Sequence, residues 1–108
     1  FESEYKNDNL IINPETLFLI KSADNYIEVF YESEGEVKNK MIRSSLVKAE
    51  SLLSDYKYII RTQRSYIVNM NQIKEIQNIP DGYKLLFQKS DLVAYVSQKY
   101  MTEFKKMI

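Results

Sequence analysis

Two guanidiniums, one carboxamide and two hydroxyls fall within five consecutive residues, Arg61-Thr62-Gln63-Arg64-Ser65. The apolar run Tyr66-Ile67-Val68 follows, closed by Asn69. Such a segment offers hydrogen-bond donors on a stiff mount. Arginine pairs with guanine O6 and N7 through both arms of its fork, and Asn or Gln pairs with adenine N6 and N7. Lys, Ser and backbone amides suit phosphate oxygens. Two further places repeat the design. Lys21-Ser22-Ala23-Asp24-Asn25 precedes a strand-forming run that begins at Tyr26. Ser97-Gln98-Lys99 opens a helical pattern, where free backbone N–H groups favour an anion. Lys21, Asn25, Arg61, Gln63, Arg64, Ser97, Gln98 and Lys99 are therefore candidates for nucleic-acid contact, with Lys40 and Arg43 as phosphate candidates. One polar loop alone is more often an ordinary turn. Three of them, with a basic excess in the same part of the chain, point to nucleic acid.

The composition argues against catalysis. The 108 residues contain no His and no Cys, so imidazole base chemistry, thiolate nucleophiles, disulfides and thiolate metal sites are absent. Glu32-x-Glu34-x-Glu36 places three carboxylates at a strand end, and a solvated acidic turn is the ordinary reading of that pattern. No metal, cofactor or catalytic residue is expected. The formal net charge of +0 conceals an asymmetry. Residues 1–36 carry nine acids and two bases, so the remainder carries thirteen bases and six acids. Segregation of that kind can leave one basic face on a neutral molecule. No apolar run approaches the roughly 18 residues that a membrane span needs. A cytoplasmic protein is expected.

The elements that would carry these donors are legible from their periods. Residues 1–9 are polar and acidic and read as a lead-in, with one domain over 10–108. Leu10-Ile11-Ile12 is a short apolar run stopped by the turn signal Asn13-Pro14. Strands are expected over Leu17 to Ile20, Tyr26 to Tyr31, Val37 to Ile42, Tyr56 to Arg61, Tyr66 to Asn69, Ile73 to Ile79, Tyr83 to Phe87 and Leu92 to Val96. A turn at Glu32 to Glu36 contains Gly35. At Pro80-Asp81-Gly82, proline presets φ and glycine is expected to take the positive φ. Leu46, Ala49, Leu52 and Leu53 recur at helical spacing and predict a helix over about 45–53, with Ser44 or Ser45 as N-cap. Tyr100, Met101, Phe104, Met107 and Ile108 predict a second helix, with Ser97 as N-cap. Many short strands with two minor helices make a mostly β class, in which so short a sheet must close or stack to cover its faces.

The order of these pieces resembles the LytTR family of bacterial DNA-binding domains, the output modules of many two-component response regulators. LFLIKSADNYIEVF (17–30), MIRSSLVKAESLL (41–53), IIRTQRSYIVNMNQIKEI (59–76) and VSQKYMTEFKKMI (96–108) carry the resemblance, in the family's order. The most specific part is the Arg followed by RSYIVN, supported by SADNYIEV and by the helix from Leu46 to Leu53 with Glu50 inside it. The resemblance implies an elongated stack of small, mainly antiparallel sheets with one short mid-chain helix and a C-terminal helix. It also implies an effector domain of a transcription regulator, reading successive grooves of double-stranded DNA with loops. The matching places here are Asn25 before Tyr26, the Arg61–Ser65 loop with Gln63 and Arg64 at its tip, and Ser97, Gln98 and Lys99. Paired DNA repeats, a dimer on DNA and an N-terminal receiver domain are further implications. Two departures matter: the family often has His at the position of Gln63 and Arg at that of Gln98. Gln favours adenine where Arg favours guanine, so the preferred sequence is expected to differ from that of relatives.

Two other functions are compatible with the residues. The acidic first third could be a protein-binding surface anchored by aromatics such as Tyr5 or Tyr31. The tyrosines could instead stack the bases of a single strand.

Overall fold

The computed structural model describes residues 10–108, so the expected lead-in at 1–9, with Tyr5, lies outside the described residues. Eight strands and two short helices follow in the order β1 (Leu17–Ala23), β2 (Tyr26–Ser33), β3 (Glu36–Arg43), α1 (Leu46–Leu52), β4 (Ile59–Gln63), β5 (Tyr66–Asn69), β6 (Ile73–Ile79), β7 (Gly82–Phe87), β8 (Val93–Ser97) and α2 (Met101–Lys105). They form a five-stranded antiparallel sheet, β3-β2-β1-β5-β4, and a three-stranded one, β6-β7-β8.

The five-stranded sheet is the middle layer. On one face Leu17, Ile20, Ile27, Val29, Ile42 and Ile67 pack against Leu46, Ala49 and Leu53 of the α1 segment. On the other, Phe18, Leu19 and Val68 meet Leu85, Phe87, Ala94 and Val96 of the small sheet and Phe104 of α2. A strand buried on both faces reads as a continuous apolar run rather than an alternating one. That is why Leu17 to Ile20 and Ile67-Val68 have no polar partners in sequence. A bulge between Leu17 and Leu19 turns Phe18 and Leu19, neighbours in sequence, toward the same core.

Several boundaries differ from expectation. The β1 strand continues through Lys21 to Ala23, because antiparallel pairing with Tyr26 to Glu28 outlasts the apolar run. The expected five-residue loop is therefore a two-residue turn, Asp24-Asn25, with Asp24 at φ 57°. Tyr56 to Tyr58 are turn residues rather than strand: the Tyr56 N–H donates to the Leu53 carbonyl and the Ile59 N–H to the Tyr56 carbonyl. In the Pro80-Asp81 turn it is Asp81 that takes positive φ, at 63°, not Gly82. Gly82 serves another purpose. A Cβ there would lie 2.0 Å from the Val96 carbonyl oxygen, so glycine lets β8 approach β7 where Gly82 pairs with Ser97.

The helix caps differ too. The Ser45 hydroxyl accepts from the Lys48 N–H at 3.2 Å and caps α1. Ser97 occupies the expected N-cap position but makes no capping hydrogen bond. The helix it precedes is a 3₁₀ turn, Gln98–Tyr100, running into α2. Tyr31, half-buried on β2, packs against the first core.

Candidate nucleic-acid interface

Register decides which polar residues become neighbours. Ala23 pairs with Tyr26, Tyr26 with Arg43, and Lys21 with Tyr66. The Asp24-Asn25 turn, the end of β3 at Arg43 and the Arg64-Ser65 turn between β4 and β5 therefore share one end of the middle sheet. A hydrogen bond from the Ser22 N–H to the Ser65 carbonyl, 3.0 Å, closes the gap between the two turns. At this same end, Gln63, Arg64 and Ser65 line an open depression with Ser97, Lys99 and Tyr100. The three donor-bearing places, far apart in the chain, thus form a continuous edge.

Within that edge Asn25, Arg64, Gln98 and Lys99 are exposed, while Gln63 and Ser97 are half-buried. Lys21 is exposed on β1, set back from the tip by the length of strand that sequence alone reads as loop. The Arg43 guanidinium lies over the Tyr26 ring at 5.9 Å, and the Lys99 ammonium over the ring of Tyr100 at 5.6 Å. Both cations are held near an aromatic face, which limits their freedom. Tyr100, read from spacing only as a helix-core residue, is the member of this edge that sequence reasoning missed. Its ring both packs on the second core and lines the depression.

Arg61 stands at the base of the hairpin with a different set of contacts. Its Nε donates to the Gln63 carbonyl at 3.1 Å, one terminal nitrogen to the Arg64 carbonyl at 2.7 Å, and the other to Glu50 Oε1 at 3.2 Å. A bulge at Thr62 interrupts the β4–β5 ladder between Arg61 and Gln63, and the buried Thr62 hydroxyl has no hydrogen-bond partner among the described residues. At the far end of β5, buried Asn69 ties the strand down. Its side-chain amide donates to the Leu17 carbonyl at 3.0 Å, and its side-chain oxygen accepts from the Asn71 N–H at 2.9 Å.

The edge carries donors and cations. Among the described residues, no three of Asp, Glu, His or Cys gather as a metal site, and Glu32 is engaged with Lys89 at 3.5 Å. No described helix is long and apolar enough to cross a membrane. Such an edge can donate to phosphate oxygens and to base edges together.

Comparison with known proteins agrees with the chemistry. The family model described as the LytTr DNA-binding domain matches residues 7–108. Among solved structures, the chain is similar to the LytTr DNA-binding domain of a protein described as a methyl-accepting/DNA response regulator, from Bacillus cereus. The TM-score is 0.76 at 26% identity, over 91% of this chain and 85% of that one. Among curated proteins none matches.

Proposed function

Because the chain belongs to the LytTr family of DNA-binding domains, we propose that it binds double-stranded DNA sequence-specifically, as the effector domain of a bacterial transcription regulator. Asn25, Gln63, Arg64, Ser97, Gln98 and Lys99 are the contacts this reading assigns to bases and nearby phosphates, with Lys21 and Arg43 on flanking phosphates. The observation that carries it is the convergence of three donor-bearing places on one edge of a rigid sheet. Loops mounted on stacked sheets can keep fixed spacing while each enters a groove. Phosphate contacts supply sequence-independent affinity, and base-edge donors supply discrimination.

The effector role extends to partners outside this chain: a receiver domain in the full-length protein, and a second copy on an adjacent repeat. Selection of bound sequences from a random duplex pool tests the central claim. A defined motif is expected, contacted in more than one groove by chemical footprinting. Recovery of no motif, or equal competition by single-stranded DNA of the same sequence, would overturn it.

A further inference from the structure

Arg61 heads the donor-rich stretch, yet all three of its guanidinium nitrogens are engaged within the molecule. Its side chain is only 15% exposed, against 51% for its partner Glu50. The two carbonyls it holds belong to Gln63 and Arg64, the residues at the tip of the hairpin. Those carbonyls lie in the two peptide planes that flank the Arg64 Cα. Peptide planes are rigid, so holding both fixes φ and ψ of Arg64 and with them the direction of its Cα–Cβ bond.

We propose that Arg61 is a positioning residue for recognition, braced by Glu50 from α1, and that it aims Arg64 rather than touching DNA itself. This rests on the hairpin's proposed role as a DNA reader. The local geometry explains why such a device is needed. The Thr62 bulge removes regular pairing just below the tip, leaving a two-residue turn on an interrupted ladder. A planar ion with several donors in a fixed fork can bridge successive carbonyls and a carboxylate at once. A lysine ammonium lacks the fork and cannot hold both planes. Glu50 balances the guanidinium charge, so the pair adds no net charge to the edge.

The purified domain, a selected duplex and a scrambled duplex of equal length provide the test, with Arg61→Ala, Arg61→Lys and Glu50→Ala as variants. Both Arg61 variants are expected to bind the selected duplex roughly tenfold more weakly, the effect of one lost charge-assisted hydrogen bond. For Arg61→Lys, which keeps the charge, the scrambled duplex should bind as before. Backbone order parameters of Arg64 and Ser65 in the DNA-free domain should fall, while those of β1 and β7 hold. Glu50→Ala should shift both readouts the same way, less strongly. If Arg61→Lys restores affinity where Arg61→Ala loses it, Arg61 is a phosphate contact and the proposal fails. Unchanged order parameters at the tip also overturn it. Should the Arg61 variants not fold, exposed Glu50→Ala carries the same two readouts. A wild-type domain that prefers no duplex overturns the DNA-reading role instead, and the order-parameter comparison still decides whether the clamp exists.

Discussion

Arg64 and Lys99 both stand exposed on the donor edge, but their chemistry suits them to different work under the proposed function. A guanidinium on a fixed turn can read a base bidentately, so Arg64→Ala should cost about 1–3 kcal/mol on the selected duplex and relax preference at one base pair. A lysine ammonium is a point charge, so Lys99→Ala should weaken all duplexes alike and lower the salt slope by about one phosphate. Titration of matched and mismatched duplexes at several salt concentrations separates the two. Thr62 sets up the opposite expectation. Its hydroxyl is buried without a partner, and a buried donor left unpaired costs free energy. Thr62→Val keeps the shape and removes the hydroxyl, so it should be neutral or stabilise by about 1 kcal/mol, raising the thermal midpoint by a few degrees.

The two glycines give opposite expectations under the proposed function. Gly82 lies where β7 pairs with Ser97 of β8, and the obstacle to a side chain is the Val96 backbone. Backbone cannot swing aside, so Gly82→Ala should cost about 3 kcal/mol, as overpacked interior sites do. It should also weaken DNA binding, because the strand it displaces ends at Ser97. Gly35, at φ 77° in the β2–β3 turn, has open space around it: a Cβ there would meet nothing within 4 Å. Gly35→Ala meets only backbone strain of about 1 kcal/mol and should leave DNA affinity unchanged. Urea midpoints with duplex titrations of both variants check the contrast. Arg61 and Glu50 belong to this scale as well, since their pairing makes α1 a support for the hairpin although α1 itself faces the other core.

Across the whole molecule, charge follows the long direction of the middle sheet. The β1–β2 turn lies at the donor end, and the β2–β3 turn with Glu32, Glu34 and Glu36 lies at the opposite end of β2. Eight residues of strand separate the two ends by roughly 25 Å. A neutral chain thereby becomes polar, and under the proposed function the acidic end would repel the polyanion that the donor end meets. Substituting the three glutamates together by Gln should tighten binding to nonspecific duplex at roughly 10 mM salt, where screening reaches about 30 Å. The gain should vanish by about 100 mM, where the screening length is about 10 Å. A gain that persists at high salt would mean direct contact by that end.

Composition, periodicity and motif order were enough to establish a mostly β domain with two short helices, its strand order along the chain and the polar places between strands. These follow from local physics: alternation, apolar runs, turn residues and caps act within a few neighbours. Tertiary pairing decided the rest. Lys21 is strand rather than loop because β2 continues the ladder past the last apolar residue. Gly82 is required by the approach of a strand that follows it in the chain, not by its own turn. Arg61 and Arg64 look alike in sequence, and only the carbonyls and the Glu50 carboxylate around Arg61 turn it inward. Two of those acceptors lie within three residues of Arg61, but the bulge and turn that present them, and the Glu50 carboxylate eleven residues away, come together only in the folded chain.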